Sequence, residues 1–300
     1  MKPSLAESDI GIRIIGAASG IGAQDHACAD GPVAFHRSPA WRELARHPRL
    51  NWGKTLFAPA AEGAPVVARI ATLCRSLADE VAGMLRTGVF PVVIGGDHSI
   101  AIGTWSGVAR VLGEPVGLLW IDAHLDSHTP ETSHSGAVHG MPLACLLGRG
   151  DQRLLDIGLM GPQVSAAHSV VLGPRSYEPE ERDFLNRMGV RIIGHGDIAA
   201  RGFEACLDDA LGIVAAAPAG FGVTIDLDAF DPRLAPGVGT PEPDGLVAGD
   251  VLATLCRASR LPGLQALEIA EFNPVRDQYG MTANLISALI GQILPTSGER

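Results

Sequence analysis

The sequence predicts an α/β fold, a three-layer α/β/α arrangement in which helices cover both faces of a mostly parallel central sheet. Short apolar runs rich in β-branched residues alternate along the chain with longer stretches whose apolar residues recur at helical spacing. That alternation is the signature of strands joined by crossover helices. The 300 residues contain no Ser/Pro-rich linker, internal repeat or low-complexity tract, which predicts a single domain over residues 1–300.

The elements follow in order. GIRIIG from residue 11 reads as a strand that runs into IIGAASGIGAQ, Ile14 to Gln24. The Gly16, Gly20, Gly22 spacing resembles the dinucleotide turn of short-chain dehydrogenases, and two observations exclude that chemistry. Such enzymes need a Tyr with a Lys four residues on, and Tyr177 and Tyr279 are followed at that spacing by Glu181 and Ala283. The turn should also open a helix, yet Gly31 and Pro32 interrupt one soon after Gly22. Gly20 and Gly22 instead permit a tight loop after the strand. VARIATLCRSLADEVAGMLRTG from 67 predicts a long amphipathic helix, FPVVIGG at 90 a buried strand and IAIGTWSGVARVL from 100 a helix. VGLLWID at 116 predicts the next strand, followed by a polar loop from Ala123 to Val138 and a helical GMPLACLLG at 140. VVLGP at 170, VRII at 190, FGVTIDLD at 221 and LQALEIAEF at 264 complete the strands. PEERDFLNRMG, EACLDDALGIVAAA, AGDVLATLCRASR and TANLISALIGQIL supply helices between and after them.

Composition narrows the function. A net charge of −10 with lysine only at Lys2 and Lys54 excludes a nucleic-acid partner, which needs clustered cations. No apolar run reaches the roughly 18 residues of a membrane span, and MKPSLAESDI lacks the apolar core of a secretory signal. The expectation is a soluble cytoplasmic protein without a membrane partner. Cys28, Cys74, Cys145, Cys206 and Cys256 are scattered, an odd set without a C-x-x-C pair, and so predict reduced thiols.

In open parallel sheets ligands bind beyond the carboxyl ends of the strands, so the residues standing there carry the chemistry. VVIGGDHS places Asp97 and His98 after one strand, and Gly95 and Gly96 let backbone pass close to a ligand. LLWIDAHLDSH sets Asp122, His124 and Asp126 at alternate positions as the next strand ends. Alternate residues of an extended segment share a face. GVTIDLDAFDP repeats the spacing with Asp226 and Asp228, and Asp231 follows. Singly, each is an ordinary cap or turn residue. Together, four carboxylates aimed at one point repel strongly unless cations join them. Oxygen and imidazole donors without thiolate suit a hard to borderline ion, Mn²⁺ above zinc. Two such ions can bridge one water and lower its pKa toward about 7, which predicts hydrolysis.

These residues resemble the ureohydrolases, the arginase and agmatinase family. The resemblance runs through GGDHS at 95–99, DAHLD at 122–126, SGAVHGMP at 135–142, DLDAFDP at 226–232, GTPEPDGL at 239–246 and EIAEFNP at 268–274. It implies the three-layer fold, a pair of Mn²⁺ ions and release of urea from a guanidino compound. It implies further that His98, Asp122, Asp126 and Asp226 ligate one ion. Asp122 and Asp226 would bridge to a second, completed by His124 and Asp228. Asp126 would steer the proton of the nucleophile, His139 would shuttle one to the leaving amine, and Glu271 would pair with the guanidinium. The loop DSHTPETSHSGAVHG keeps the length and landmarks of arginases. His128 and Ala137 stand where arginases carry Asn, Ser135 is retained, and Glu178 replaces an Asp. Those four form the expected contacts to the substrate tail, with His128 and His134 either substrate contacts or solvated loop residues. L-arginine or a close relative is the expected substrate, ahead of agmatine, guanidinobutyrate, a formiminoglutamate hydrolase activity or a non-catalytic scaffold. The family also implies a homo-oligomer, a trimer or hexamer, and a first-strand loop near the pocket mouth from which Asp25 or His26 would reach substrate.

Overall fold

The computed structural model describes residues 4–6, 10–60 and 63–294. Eight strands form one sheet: β1 Ile12–Ala18, β2 Leu50–Phe57, β3 Phe90–Gly95, β4 Val116–Ile121, β5 Val164–Leu172, β6 Arg191–Ile193, β7 Phe221–Asp226 and β8 Leu264–Ala270. Their order is β2-β1-β3-β8-β7-β4-β5-β6, and every pairing is parallel. The chain leaves β3 on one side of the sheet and resumes at β4 on the other. β8 and β7 later fill the gap between them.

Both faces of the sheet are buried, as the continuous apolar runs predict. β3, β4 and β7 have every residue buried. Successive residues pack into opposite cores, because side chains alternate across a strand. Ile14, Val92, Leu119 and Val223 join one core with Phe35, Leu207, Leu255 and Ile286, from helices 31–37, 203–215, 248–260 and 281–291. Ile15, Val93, Leu118 and Trp120 join the other with Leu73, Leu77, Val81 and Val108, from helices 66–86 and 101–112. In helix 66–86 the buried Ile70, Leu73, Cys74, Leu77, Ala78, Val81 and Met84 recur at three- and four-residue spacing. Truncating such a core leucine to alanine costs about 2–5 kcal/mol.

Several elements escape the apolar pattern. Among the described residues β2 is an edge strand paired only with β1, and most of its residues are partly or fully exposed, so LNWGKTLF carries no continuous apolar run. Pro32 does not end a helix. It occupies the first turn of helix 31–37, where its missing N–H costs nothing. β5 begins at Val164, ahead of the apolar VVLGP, and is partly exposed until Ser169. GMPLACLLG shortens to a 3-10 turn at 138–140 and the short helix 142–146. Among the described residues no helix is long and apolar enough to cross a membrane.

Candidate metal centre and substrate cavity

The four central strands deliver the site from their carboxyl ends. β3 ends three residues before His98, which opens a 3-10 turn at 98–100. β4 ends at Ile121 and hands over to Asp122, His124 and Asp126, while β7 ends in Asp226, with Asp228 in the turn 227–229. His98, Asp122, Asp126 and Asp226 each bring a ligand atom within 4.8 Å of the others, and so do Asp122, His124 and Asp228. His98 Nδ1 lies 3.3 Å from Asp122 Oδ2, 3.1 Å from Asp126 Oδ2 and 3.1 Å from Asp226 Oδ2. His124 Nδ1 lies 3.1 Å from Asp228 Oδ2 and 3.4 Å from Asp122 Oδ1. Asp122 thus turns one oxygen to each cluster.

The six residues converge, though not along an extended segment. Asp126 has φ +46°, in the left-handed region that Asp tolerates better than most residues. Asp122 Oδ1 accepts from His124 N at 2.7 Å and Asp226 Oδ1 from Asp228 N at 2.8 Å. These turns hold the carboxylates in place two residues ahead of their bonded amides.

The cluster is electrostatically unfinished. Burial, reinforced by Asp228 and Asp122, raises Asp226 well above the usual carboxylate range. Burial and the charge of Asp122 push Asp126 up to about 6. Asp122 stays low, because the imidazoles of His124 and His98 facing it outweigh its burial. Burial works against charge on His98, yet Asp122, Asp126 and Asp226 raise it well above an ordinary histidine. His124 is raised likewise against its burial by Asp228 and Asp122. His98 Nδ1 is buried and makes no hydrogen bond despite the three oxygens around it. An orphaned imidazole nitrogen facing three carboxylates is a donor set that a divalent cation completes.

A supporting layer lies behind these ligand atoms. His98 Nε2 is 3.1 Å from Thr224 Oγ1, whose hydroxyl donates to Glu268 Oε1 at 2.7 Å. Trp120 stacks on His98 with ring centres 4.3 Å apart and donates Nε1–H to Asp122 Oδ2 at 2.7 Å. Sequence reasoning passed over all three. The available signal was the alternation of Thr224 with Asp226 and of Trp120 with Asp122, and β7 and β8 pair Thr224 with Glu268.

A cavity of about 650 Å³ opens over the clusters. Its lining includes His124, Asp126, Asp226 and Asp228 from the clusters, then His139 and Glu271, and at the rim His128, Ser135, Ala137 and Glu178. His98 and Asp122 lie buried behind it. Glu271, with φ +66°, accepts on Oε1 from His98 N at 2.9 Å and meets His139 Nδ1 at 3.0 Å. Against its burial, Glu271 pushes His139 up to about 9. His139 in turn holds Glu271 below the usual range despite complete burial.

At the rim, His128 Nε2 lies 3.0 Å from Glu178 Oε2 and 3.5 Å from Glu181 Oε2, and its Nδ1 is 3.1 Å from Thr132 Oγ1. Glu181, missed in the sequence, is pushed up to about 8 by burial, and its oxygens accept from Ser127 N and Glu178 N. Both His128 and His134 line the cavity.

Asp97 and Asp231 stand outside the clusters. Asp97 binds the loop after β1: it accepts from Ser19 Oγ at 2.9 Å, Gly22 N at 3.0 Å and Ser99 N at 3.1 Å. A Cβ on Gly22 would lie 2.5 Å from Asp97 Oδ1, so this glycine serves a close side-chain approach instead of a pyrophosphate. Gly22 O also accepts from His139 N at 3.1 Å, tying the loop to the cavity wall. Asp25 lines the cavity and accepts from Asn273 and Arg276, whereas His26 is exposed and stands outside it. Asp231 pairs with Arg233 at 2.7 Å.

The family model described as the arginase family matches residues 10–295. The chain belongs to the arginase family. It is 38% identical over 217 residues to the arginase of Brevibacillus brevis, covering 72% of each protein. Among solved structures, the arginase of Bacillus cereus superposes with a TM-score of 0.88 at 30% identity, covering 97% of this chain and 100% of that one. The native arginase of Bacillus caldovelox superposes with a TM-score of 0.86 at 33% identity, covering 100% of this chain and 99% of that one. This arginase-family chain has a second, larger cleft of about 840 Å³ beside the first, but its arginines are occupied. Arg175 donates to the carbonyls of Asp228, Ala229, Glu242 and Pro243, bracing the loop that carries Glu242 toward His124. Arg233 is held by Asp231.

Proposed function

We propose that this chain is a binuclear-metal amidinohydrolase that hydrolyses the guanidino group of L-arginine to ornithine and urea. The observation that carries the reading is one cavity with two cation-ready clusters sharing Asp122 on its floor and the His139–Glu271 pair on its wall. Membership of a family whose relatives are named arginase supports the same chemistry.

His98, Asp122, Asp126 and Asp226 would hold one ion, and Asp122, Asp226, His124 and Asp228 the other. Two divalent ions bound there would supply charge balance for four carboxylates and a water acidified toward a pKa of about 7. The oxygen-rich donor set favours Mn²⁺. Glu271 orients the guanidinium with its carboxylate. Asp126 accepts the proton of the attacking water. His139, kept protonated at neutral pH by Glu271, delivers its proton to the departing amine. The Oγ of Ser135 accepts from Ala137 N at 3.2 Å, which leaves its hydroxyl proton for a substrate carboxylate. Ala137 offers only a methyl group, and His128 with Glu178 forms the polar wall facing the amino-acid tail. The proposal includes one catalytic domain over residues 1–300, a homo-oligomer, trimer or hexamer, and a cytoplasmic location, with neither nucleic acid nor membrane as partner.

Urea release from L-arginine by Mn²⁺-loaded protein tests the reading, with hydroxyarginine, agmatine and guanidinobutyrate in parallel. Urea from arginine with two metal ions per chain is the expected result. No urea from arginine, or a single ion per chain at saturation, overturns it.

A further inference from the structure

We infer that Cys28 is a positioning residue for Glu271, its thiol donating to Oε2 and fixing the plane in which that carboxylate meets a guanidinium. This rests on the proposed role of Glu271. Cys28 Sγ lies 3.2 Å from Glu271 Oε2 and 3.6 Å from the Glu271 carbonyl oxygen. The two residues are 243 positions apart in the chain, and Cys28 has no exposed surface. Burial first, then the adjacent Glu271 charge, keeps the thiol protonated, so it is a donor and not a thiolate.

The geometry assigns each oxygen of Glu271 its task. An ionised carboxylate offers about four lone-pair sites. His98 N and His139 Nδ1 occupy Oε1, while among the described residues the thiol of Cys28 is the one donor to Oε2. Oε2 therefore keeps one acceptor direction, toward the cavity that Glu271 lines. Its backbone does not set that direction alone, because Glu271 has left the strand conformation at φ +66°. Gly239 closes the arrangement from the other side. A Cβ there would lie 3.2 Å from Oε2 and 3.4 Å from Sγ, so the absent side chain keeps the thiol–carboxylate pair open to the cavity. A planar guanidinium fork gains most from an acceptor held in a fixed plane.

The test compares Cys28→Val, Cys28→Ala and Cys28→Ser in the metal-loaded protein. Cys28→Val should raise KM for arginine about five- to tenfold, the order of one typical net hydrogen bond from a weak thiol donor, with kcat within about threefold. Cys28→Ser, whose hydroxyl also donates, should stay within about threefold of wild type in KM. A packing role reverses that order, and Val performing as well as Cys with Ser worse overturns the inference. A second readout does not depend on turnover. The infrared S–H stretch lost in Cys28→Val should move to higher frequency in Glu271→Gln, whose amide oxygen is the weaker acceptor, and an unmoved band overturns the inference. Absence of urea from wild type would refute the proposed function, while the infrared comparison would still decide the thiol–carboxylate pair.

Discussion

Thr224→Val separates metal affinity from fold. Thr224 lies inside β7 with no exposed surface, between His98 and Glu268, which are equally buried. When Nδ1 of His98 faces a cation, its Nε2 carries the proton and donates it to Thr224 Oγ1. Valine has nearly the same shape and the same preference for strands, but no acceptor. The Nε2–H is then left buried and unsatisfied, a penalty of about 1–3 kcal/mol. At about 1.4 kcal/mol per factor of ten, that weakens metal binding roughly 5- to 150-fold, overlapping the 10- to 100-fold typical of partners behind a ligating histidine. Competition with a chromogenic chelator at fixed pH measures it, and denaturant unfolding in excess chelator reports the metal-free fold. Thr224→Ser should retain the affinity of wild type. A metal dissociation constant within twofold of wild type in Thr224→Val would refute the argument that this hydroxyl supports His98.

Two further predictions concern stability. Removing the cations with a chelator should lower the melting temperature, because each ion at about 100 times its dissociation constant stabilises by about 2.7 kcal/mol. That corresponds to about 5 °C per ion at roughly 2 °C per kcal/mol for a large domain, and an unchanged melting curve would contradict the two-cluster reading. The second concerns the His139–Glu271 pair. Glu271 is depressed below its ordinary 4.5, so its contribution is present above that pH. His139 is raised from 6.5 to about 9, so its contribution is complete below 6.5 and lost as pH rises through about 9. The stability difference between wild type and Glu271→Gln, followed by melting at fixed metal saturation, should peak between about pH 4.5 and 6.5 and shrink toward pH 9.

The central strands were legible because burial on both faces writes a continuous apolar run into the sequence, as in FPVVIG and VGLLWI. The six ligand candidates were legible because they crowd the ends of such runs. β2 was not, since an edge strand exposes too many residues to produce the run. Cys28 and Glu268 were hidden for a different reason. A thiol in a turn and a glutamate inside an apolar strand acquire meaning only from partners brought across the sheet, Glu271 in one case and Thr224 with His98 in the other. Asp97 sits beside His98 in the sequence, yet its backbone turn points it at Ser19 and Gly22, away from the clusters.

The site is costly to the metal-free fold, and Asp126 shows how that cost can be measured. The residue sits in a left-handed backbone conformation at φ +46°, and burial beside Asp122 pushes its carboxyl up to about 6 from an ordinary 3.8. A raised carboxyl binds its proton more tightly in the folded state than in the unfolded chain. Its ionisation therefore subtracts stability as pH rises from 3.8 through about 6, and the full penalty applies at pH 8. Asn is the substitution that isolates this charge, because it is nearly the same size and also tolerates the left-handed region. In excess chelator at pH 8, Asp126→Asn should be more stable than wild type by about 1–3 kcal/mol, on the order of the shift itself. With metal present the order should reverse, as the variant loses a charged oxygen from the cluster of His98, Asp122 and Asp226. Denaturant unfolding of both proteins, with chelator and with saturating Mn²⁺, reads the two signs directly. Asp126→Asn less stable than wild type in both conditions would mean that the carboxylate serves the fold itself, and the argument that these acids await cations would fail.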